Sequence, residues 1–278
     1  MRITRITKTL LVAVSLVFLP AKASDFGVWT GLGATKKVGM FSFTLDGGFR
    51  SQNNLKSVDR WNVGFGVEYK PSAYFSVATS YDFLYNYKCE SKEAKYDTWI
   101  EKDDDGNEYT EKEYKGYNVK KPYWRCKNRW NFDLTGKLPI GRLTLSLRER
   151  YQFTRANSVK SLVDKYRVNS AGDVPEYKKT DVKVRSANND SRLRSRLMAD
   201  YDIRHCPLSP YAYIEIANNL CSGMQLEKTR VGVGTEIKIN KQNKLDVGYV
   251  YQDSRDDDFS GSEHVIDISY KYKFLQLS

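Results

Sequence analysis

The chain has 278 residues, 20 of them tyrosine and 13% aromatic, with four cysteines, two histidines and a formal charge of +11. That size and aromatic content fit one all-β domain. Two histidines without a G-x-S-x-G motif, metal-ligand spacing or a phosphate-cradling glycine loop give no footing for an enzyme, a metal or a cofactor. The only long apolar run lies at the amino terminus, so any membrane crossing by the rest of the chain must use strands.

That run, Leu10 to Leu19, follows Arg2, Arg5 and Lys8 and precedes Pro20 and Ala21-Lys22-Ala23. A basic head, a short apolar stretch and an A-x-A end make a secretory signal peptide over residues 1–23, cleaved after Ala23. The run is shorter than the about 20 residues a spanning helix needs. No cysteine follows the site to carry a lipid anchor. Cleavage removes basic residues and no acidic one, and the remaining basic excess suits contact with anionic lipid or anionic solutes. Nucleic acid is a poor partner for an exported chain.

From residue 24 to 278 the pattern is strand after strand. Residues 25–34 read as one, and 40–50 put Phe41, Phe43, Leu45 and Phe49 on one face against Asp46 and Arg50. Residues 61–69 alternate Trp61, Val63, Phe65, Val67 and Tyr69 with Asn62, Gly64, Gly66 and Glu68. Further strands fall at 74–87, 124–138, 142–155, 192–203, 211–219, 230–239, 245–253 and 264–274. Within 192–203, Leu193, Leu197 and Tyr201 alternate with Arg192, Arg194 and Arg196. A face so charged cannot be a protein core, and one so apolar does not suit water. Lipid outside and a wet lumen inside satisfy both, as in an outer-membrane β-barrel. Outward Trp61, Tyr85, Tyr87 and Trp124 read as its interfacial belt. Two positions resist the pattern: Glu149 falls on the lipid side, which asks for a bulge, and Tyr213 and Ile214 compete for the outside of 211–219.

Short turns are expected at 70–73, 139–142, 206–210 and 240–244, and long polar loops at 88–123 and 157–190, with medium ones at 52–59 and 253–263. Short periplasmic turns opposite long outer loops are the habit of such barrels. Parity then gives about ten strands from residue 40, with twelve as the alternative if hairpins hide in the long loops. On that count residues 24–38 do not cross the bilayer in full but lie in the lumen or at the periplasmic rim.

The inward bases Arg125, Lys127, Arg129, Arg148, Arg150, Arg192, Arg194 and Arg196 come from three consecutive strands and should form one basic wall. It can act as a track for anionic solutes. It can equally be internal ion pairing that seals a narrow barrel. The partners would be Glu68, Asp82, Asp133, Asp200, Asp202, Glu215, Glu236 and Asp267. Inward acids nearly as plentiful as inward bases favour the pairing. The acidic run Glu101 to Gly106 lacks the position-twelve glutamate of a calcium loop, carrying Lys112 there, and reads as a hairpin around Gly106-Asn107. Cys89 and Cys126 sit at the feet of the largest loop, where a disulfide is plausible in an oxidising compartment. Cys206 and Cys221 lie at opposite ends of one strand and cannot pair.

Arg192-Leu-Arg-Ser-Arg196, Pro210-Tyr-Ala-Tyr-Ile-Glu215, Arg230-Val-Gly-Val-Gly234, Leu245-Asp-Val-Gly-Tyr-Val-Tyr-Gln252 and His264-Val-Ile-Asp-Ile-Ser-Tyr-Lys-Tyr-Lys-Phe274 together resemble an uncharacterised barrel family, a domain of unknown function, of Bacteroidetes-type outer membranes. The resemblance covers nearly the whole chain after residue 23 and implies a barrel without catalytic residues. A looser likeness, to Arg-lined narrow porins for acidic oligosaccharides, rests on the basic wall. The expectation is therefore an outer-membrane barrel of a Gram-negative cell, in contact with lipid and lipopolysaccharide. It is either a narrow channel for anionic small solutes or a sealed barrel acting as adhesin or surface receptor through its long loops.

Overall fold

A computed structural model describes residues 25–103, 105, 107–168, 174–256 and 259–275. The signal peptide expected over 1–23 lies outside them. Fifteen strands follow in order: β1 (Asp25–Val38), β2 (Phe41–Gln52), β3 (Ser57–Tyr69), β4 (Phe75–Lys88), β5 (Ser91–Lys102), β6 (Glu108–Lys120), β7 (Tyr123–Ile140) and β8 (Leu143–Ala156). Then come β9 (Val159–Arg167), β10 (Glu176–Arg185), β11 (Asn188–Tyr201), β12 (Leu208–Asn219), β13 (Gln225–Lys238), β14 (Asn243–Asp256) and β15 (Phe259–Lys273). Eleven of them close a barrel in the order β1-β15-β14-β13-β12-β11-β8-β7-β4-β3-β2. The ten strands expected after residue 40 are all staves of it. Their alternation orients them as read: Trp61, Val63 and Phe65 are exposed outside, and Asn131 and Gln152 are buried inside.

The count is eleven, neither ten nor twelve. β1 pairs antiparallel with β2 from Trp29–Arg50 to Val38–Phe41, and parallel with β15 from Asp25–Glu263 to Thr35–Lys273. Of the segment 24–38, expected in the lumen or at the rim, Asp25–Val38 is a wall stave as long as its neighbours. Parity counting placed both chain ends on one side. The backbone instead obeys the stronger demand that β2 and β15 not be left as open edges, and an odd count makes one junction parallel. The Asp25 carboxylate holds the start of this stave to the β2–β3 turn. It accepts from the amides of Asn53 (2.7 Å) and Asn54 (2.5 Å).

The two segments expected as long loops are hairpins, β5–β6 and β9–β10. They join each other through β6 and β9, Gly116–Arg167 to Lys120–Val163, rather than the barrel. The result is a four-stranded sheet, β10-β9-β6-β5, at the barrel end opposite the short turns. The hairpin expected around Gly106-Asn107 is its β5–β6 arm. Gly116 permits the junction. Its φ is +118°, next to a bulge at Lys95/Tyr96, and a Cβ there would lie 2.2 Å from the Tyr166 carbonyl oxygen. Tyr117 and Tyr166 stack across the seam at 4.7 Å, and the Lys92 ammonium lies 3.6 Å from the Tyr117 ring centroid.

The Cys89–Cys126 disulfide does not form, and all four cysteines are free thiols. Cys126 pairs with Tyr85 in register, whereas Cys89 lies beyond Lys88, the last residue of β4. Four residues of strand separate their levels by about 13 Å, twice the reach of a disulfide. The Cys89 thiol sits instead 3.1 Å from Ser57 Oγ.

Gly116→Val should part the two hairpins and leave the barrel closed. Hydrogen exchange should then rise in 116–120 and 163–167 and stay unchanged in the staves.

Candidate functional site

The uneven alternation of β12 resolves with Ile214 and Ile216 outside and Tyr211, Tyr213 and Glu215 inside. Glu215 is 2% exposed and meets four arginines. Its Oε1 accepts from Arg194 Nη2 (2.5 Å) and Arg230 Nη1 (3.0 Å), and its Oε2 from Arg148 Nη2 (2.9 Å) and Arg196 Nε (2.8 Å). A carboxylate this buried is tolerable only when paired and hydrogen-bonded. The shell continues on both sides. Arg194 donates to Gln152 Oε1 (3.0 Å) and Arg230 to Gln252 Oε1 (2.6 Å), and Gln252 donates to Glu263 (3.3 Å).

Aromatic rings close the remaining space. The Arg50 guanidinium lies 3.7 Å from the Trp29 ring centroid and that of Arg230 lies 5.4 Å from it. Such cation–π contacts strengthen where water is excluded. Trp29 packs with Val250, Val265 and Tyr213. Arg196 lies 4.3 Å from the Tyr213 ring centroid. That ring passes over Gly232, where a Cβ would come within 2.3 Å of it. Glycine here makes room for the side chain of the neighbouring stave. These side chains occupy the lumen at mid-height.

Most of the expected basic wall belongs to this filling. Beside the three arginines on Glu215, Arg150 grips Asp133 with two bonds of 2.6 Å. Arg192 lies 2.9 Å from both Asp190 and Glu227. Arg129 sits opposite Asp82 and donates to Thr154 Oγ1 at 3.4 Å. Lys127 is level with Leu84 and Ala156. Arg125 stands apart, at the base of the upper sheet, donating to the carbonyls of Asn157 (2.8 Å) and Ser186 (2.7 Å).

Among the acids, Asp133 and Glu215 pair as expected, Asp82 accepts from Asn131 (2.9 Å), and Glu236 meets Lys244 (2.7 Å) rather than the wall. Asp267 accepts from Ser269 (3.2 Å), and Glu68 lies near the short-turn end, level with Ser42. Asp202 is no lumen residue: it follows the end of β11 and pairs with Lys238 at 3.4 Å. Below Glu215, toward the short turns, Asp200 lines a cavity of about 270 Å³. The reading from sequence missed Arg230, Glu227 and Trp29. The alternation of β13 already pointed Arg230 inward, but Trp29 was hidden by setting 24–38 aside. Glu149 faces outward without a bulge, since β8 runs in unbroken register with β7 and β11. Its carboxylate accepts from Ser195 Oγ at 2.6 Å.

The upper sheet carries its own charge pattern. Acidic Glu101, Asp103, Glu108 and Glu111 crowd the β5–β6 tip, whereas β10 shows Lys179, Lys183 and Arg185 beside exposed Val182 and Val184. Hydrogen bonds from Lys95 and Lys120 hold the Glu93 carboxyl at about 2. The Thr180 hydroxyl and Lys121 lower Asp164, and Lys165 lowers Asp181.

A family model described as protein of unknown function (DUF2490) matches residues 26–261. No curated protein matches the chain. Among solved structures, the beta domain of the Bordetella autotransporter Brka is similar at 12% identity. The TM-score is 0.46, over 85% of this chain and 82% of that one.

Glu215→Gln leaves four guanidiniums without their counter-charge and should destabilise the barrel by about 3–5 kcal/mol in chemical denaturation of the purified protein. In the sheet, carboxyls held below their unfolded values stabilise above about pH 4 and lose that contribution as the pH falls toward their folded values. Pepsin digestion stepped from about pH 4 to 2 should therefore cut within 91–120 and 159–185 before it cuts any stave.

Proposed function

The chain belongs to the DUF2490 family of proteins of unknown function, and from its own residues we propose an outer-membrane β-barrel with a sealed lumen. It acts as an adhesin or surface receptor through the four-stranded sheet at its long-hairpin end. The observation that carries this reading is the burial of Glu215 under four arginines. Most of the bases that would steer anions through the barrel already hydrogen-bond internal acids, and Glu215 with its arginines occupies the mid-height.

Membrane placement is supported by the outer face, where Phe43, Leu45, Val63, Phe65, Phe132, Leu134, Leu197 and Val231 stand exposed on staves around the barrel. Such a band costs free energy in water and gains it in hydrocarbon. Lipid and lipopolysaccharide are its natural surroundings. The alternate spacing of short turns and long hairpins supports an outward-facing sheet. A narrow channel for anionic small solutes is the weaker reading, because Arg148, Arg150, Arg192, Arg194 and Arg196 already serve internal acids.

Planar-bilayer recording of the folded protein under a salt gradient should give no steady current. Steady anion-selective current that weakens when Arg148, Arg192 and Arg194 are neutralised would restore the channel. Protease added to intact cells should cut within 91–120 and 159–185 and spare the staves; protection of both hairpins would end the surface-receptor reading.

A further inference from the structure

The cavity below Glu215 is built on three adjacent staves whose inward residues lie in level rows. Arg148 of β8 faces Arg196 of β11, Ser146 faces Lys137 of β7, and Thr144 faces Asp200 of β11. Two arginines side by side would repel. Here one carboxylate oxygen of Glu215 accepts from both, at 2.9 and 2.8 Å, so the pair keeps a net positive charge. Each guanidinium presents five N–H donors, and one bond to Glu215 leaves most of them unspent. Lys137 stands in the next row, level with Ser146, between the arginines and Asp200. The far row is different in kind, a hydroxyl and a carboxylate that call for donors. Thr144 and Arg148 are four residues apart, about 13 Å between Cα atoms, so one simple ion cannot serve both ends.

We propose that this cavity binds a small hydroxylated anion, a sugar acid or sugar phosphate, entering from the short-turn mouth. The anionic group sits against Arg148, Arg196 and Lys137, and hydroxyls donate to Asp200 and share bonds with Thr144 and Ser146. A volume of about 270 Å³ has room for one such molecule. The cavity faces the lumen, which makes a soluble anion and not a bilayer headgroup the source. This rests on the sealed lumen proposed above: with the mid-height closed, the site captures its ligand rather than passing it through. It stands whether or not the upper sheet has a partner.

The test is calorimetry on the full folded chain in detergent with glucose 6-phosphate, gluconate, glucose and inorganic phosphate. One glucose 6-phosphate or gluconate should bind per chain, with glucose and phosphate at least about tenfold weaker, the size expected for losing charge-assisted bonds at either end. The stronger of the two names the anionic group. Lys137→Gln should weaken binding about tenfold, with Lys137→Arg restoring it, and Ser146→Leu should block the cavity. Asp200→Asn should erase the preference for the hydroxylated ligands over phosphate. Absence of binding, equal binding of bare phosphate, or binding indifferent to Lys137→Gln would each overturn the proposal. Should Ser146→Leu fail to fold, the Lys137 pair still decides.

Discussion

The contact between Glu215 and four arginines is the interaction around which the rest of the barrel is arranged. An ion pair in a low-dielectric interior stabilises only when geometry and supporting hydrogen bonds offset desolvation. Here Gln152 and Gln252 supply that support by receiving Arg194 and Arg230. Staves β8, β11, β12, β13 and β14 all send a side chain into this one network, so it fixes the barrel's circumference as well as its charge. With one acid held by four bases, the remaining excess is spread over Asp133, Glu227 and Glu263 at the flanks.

Filling the lumen needed more than charge. Planar groups stack where a sphere of methyl groups would leave gaps, and Trp29 between Arg50 and Arg230 does this at the junction of β1 and β15. Tyr213 fits because Gly232 has no Cβ to collide with its ring. The parallel junction and the aromatic filling thus depend on one another: without β1 in the wall, Trp29 would not reach the centre.

The upper sheet obeys different physics. Its strands pack on one another rather than on the staves, with base contacts from Arg125 and Arg185. Tyrosine stacking, exposed ion pairs and one permissive glycine hold it together. Exposed pairs of this kind contribute little singly, so the seam at Gly116 governs whether two hairpins behave as one surface. The sheet is thus held lightly and carries acids at its β5–β6 tip and bases along β10, in contrast to the buried ion pairs of the lumen.

By itself, the sequence determined what period-two geometry can carry: ten staves after residue 40, the face most side chains take outside β12, the outward aromatic band, most of the inward arginines and the β5–β6 hairpin. Each of these follows from neighbours in the chain. The tertiary structure alone decided which distant strands meet. Glu215 and Arg148 are 67 residues apart. Their pairing depends on closure of the wall, which no local pattern encodes. The same holds for β1 against β15, for the two long segments joining each other instead of remaining loops, and for the separation of Cys89 from Cys126. In every case the deciding quantity is register between strands remote in sequence. Register is set by which edges remain open and by which buried charges must find partners.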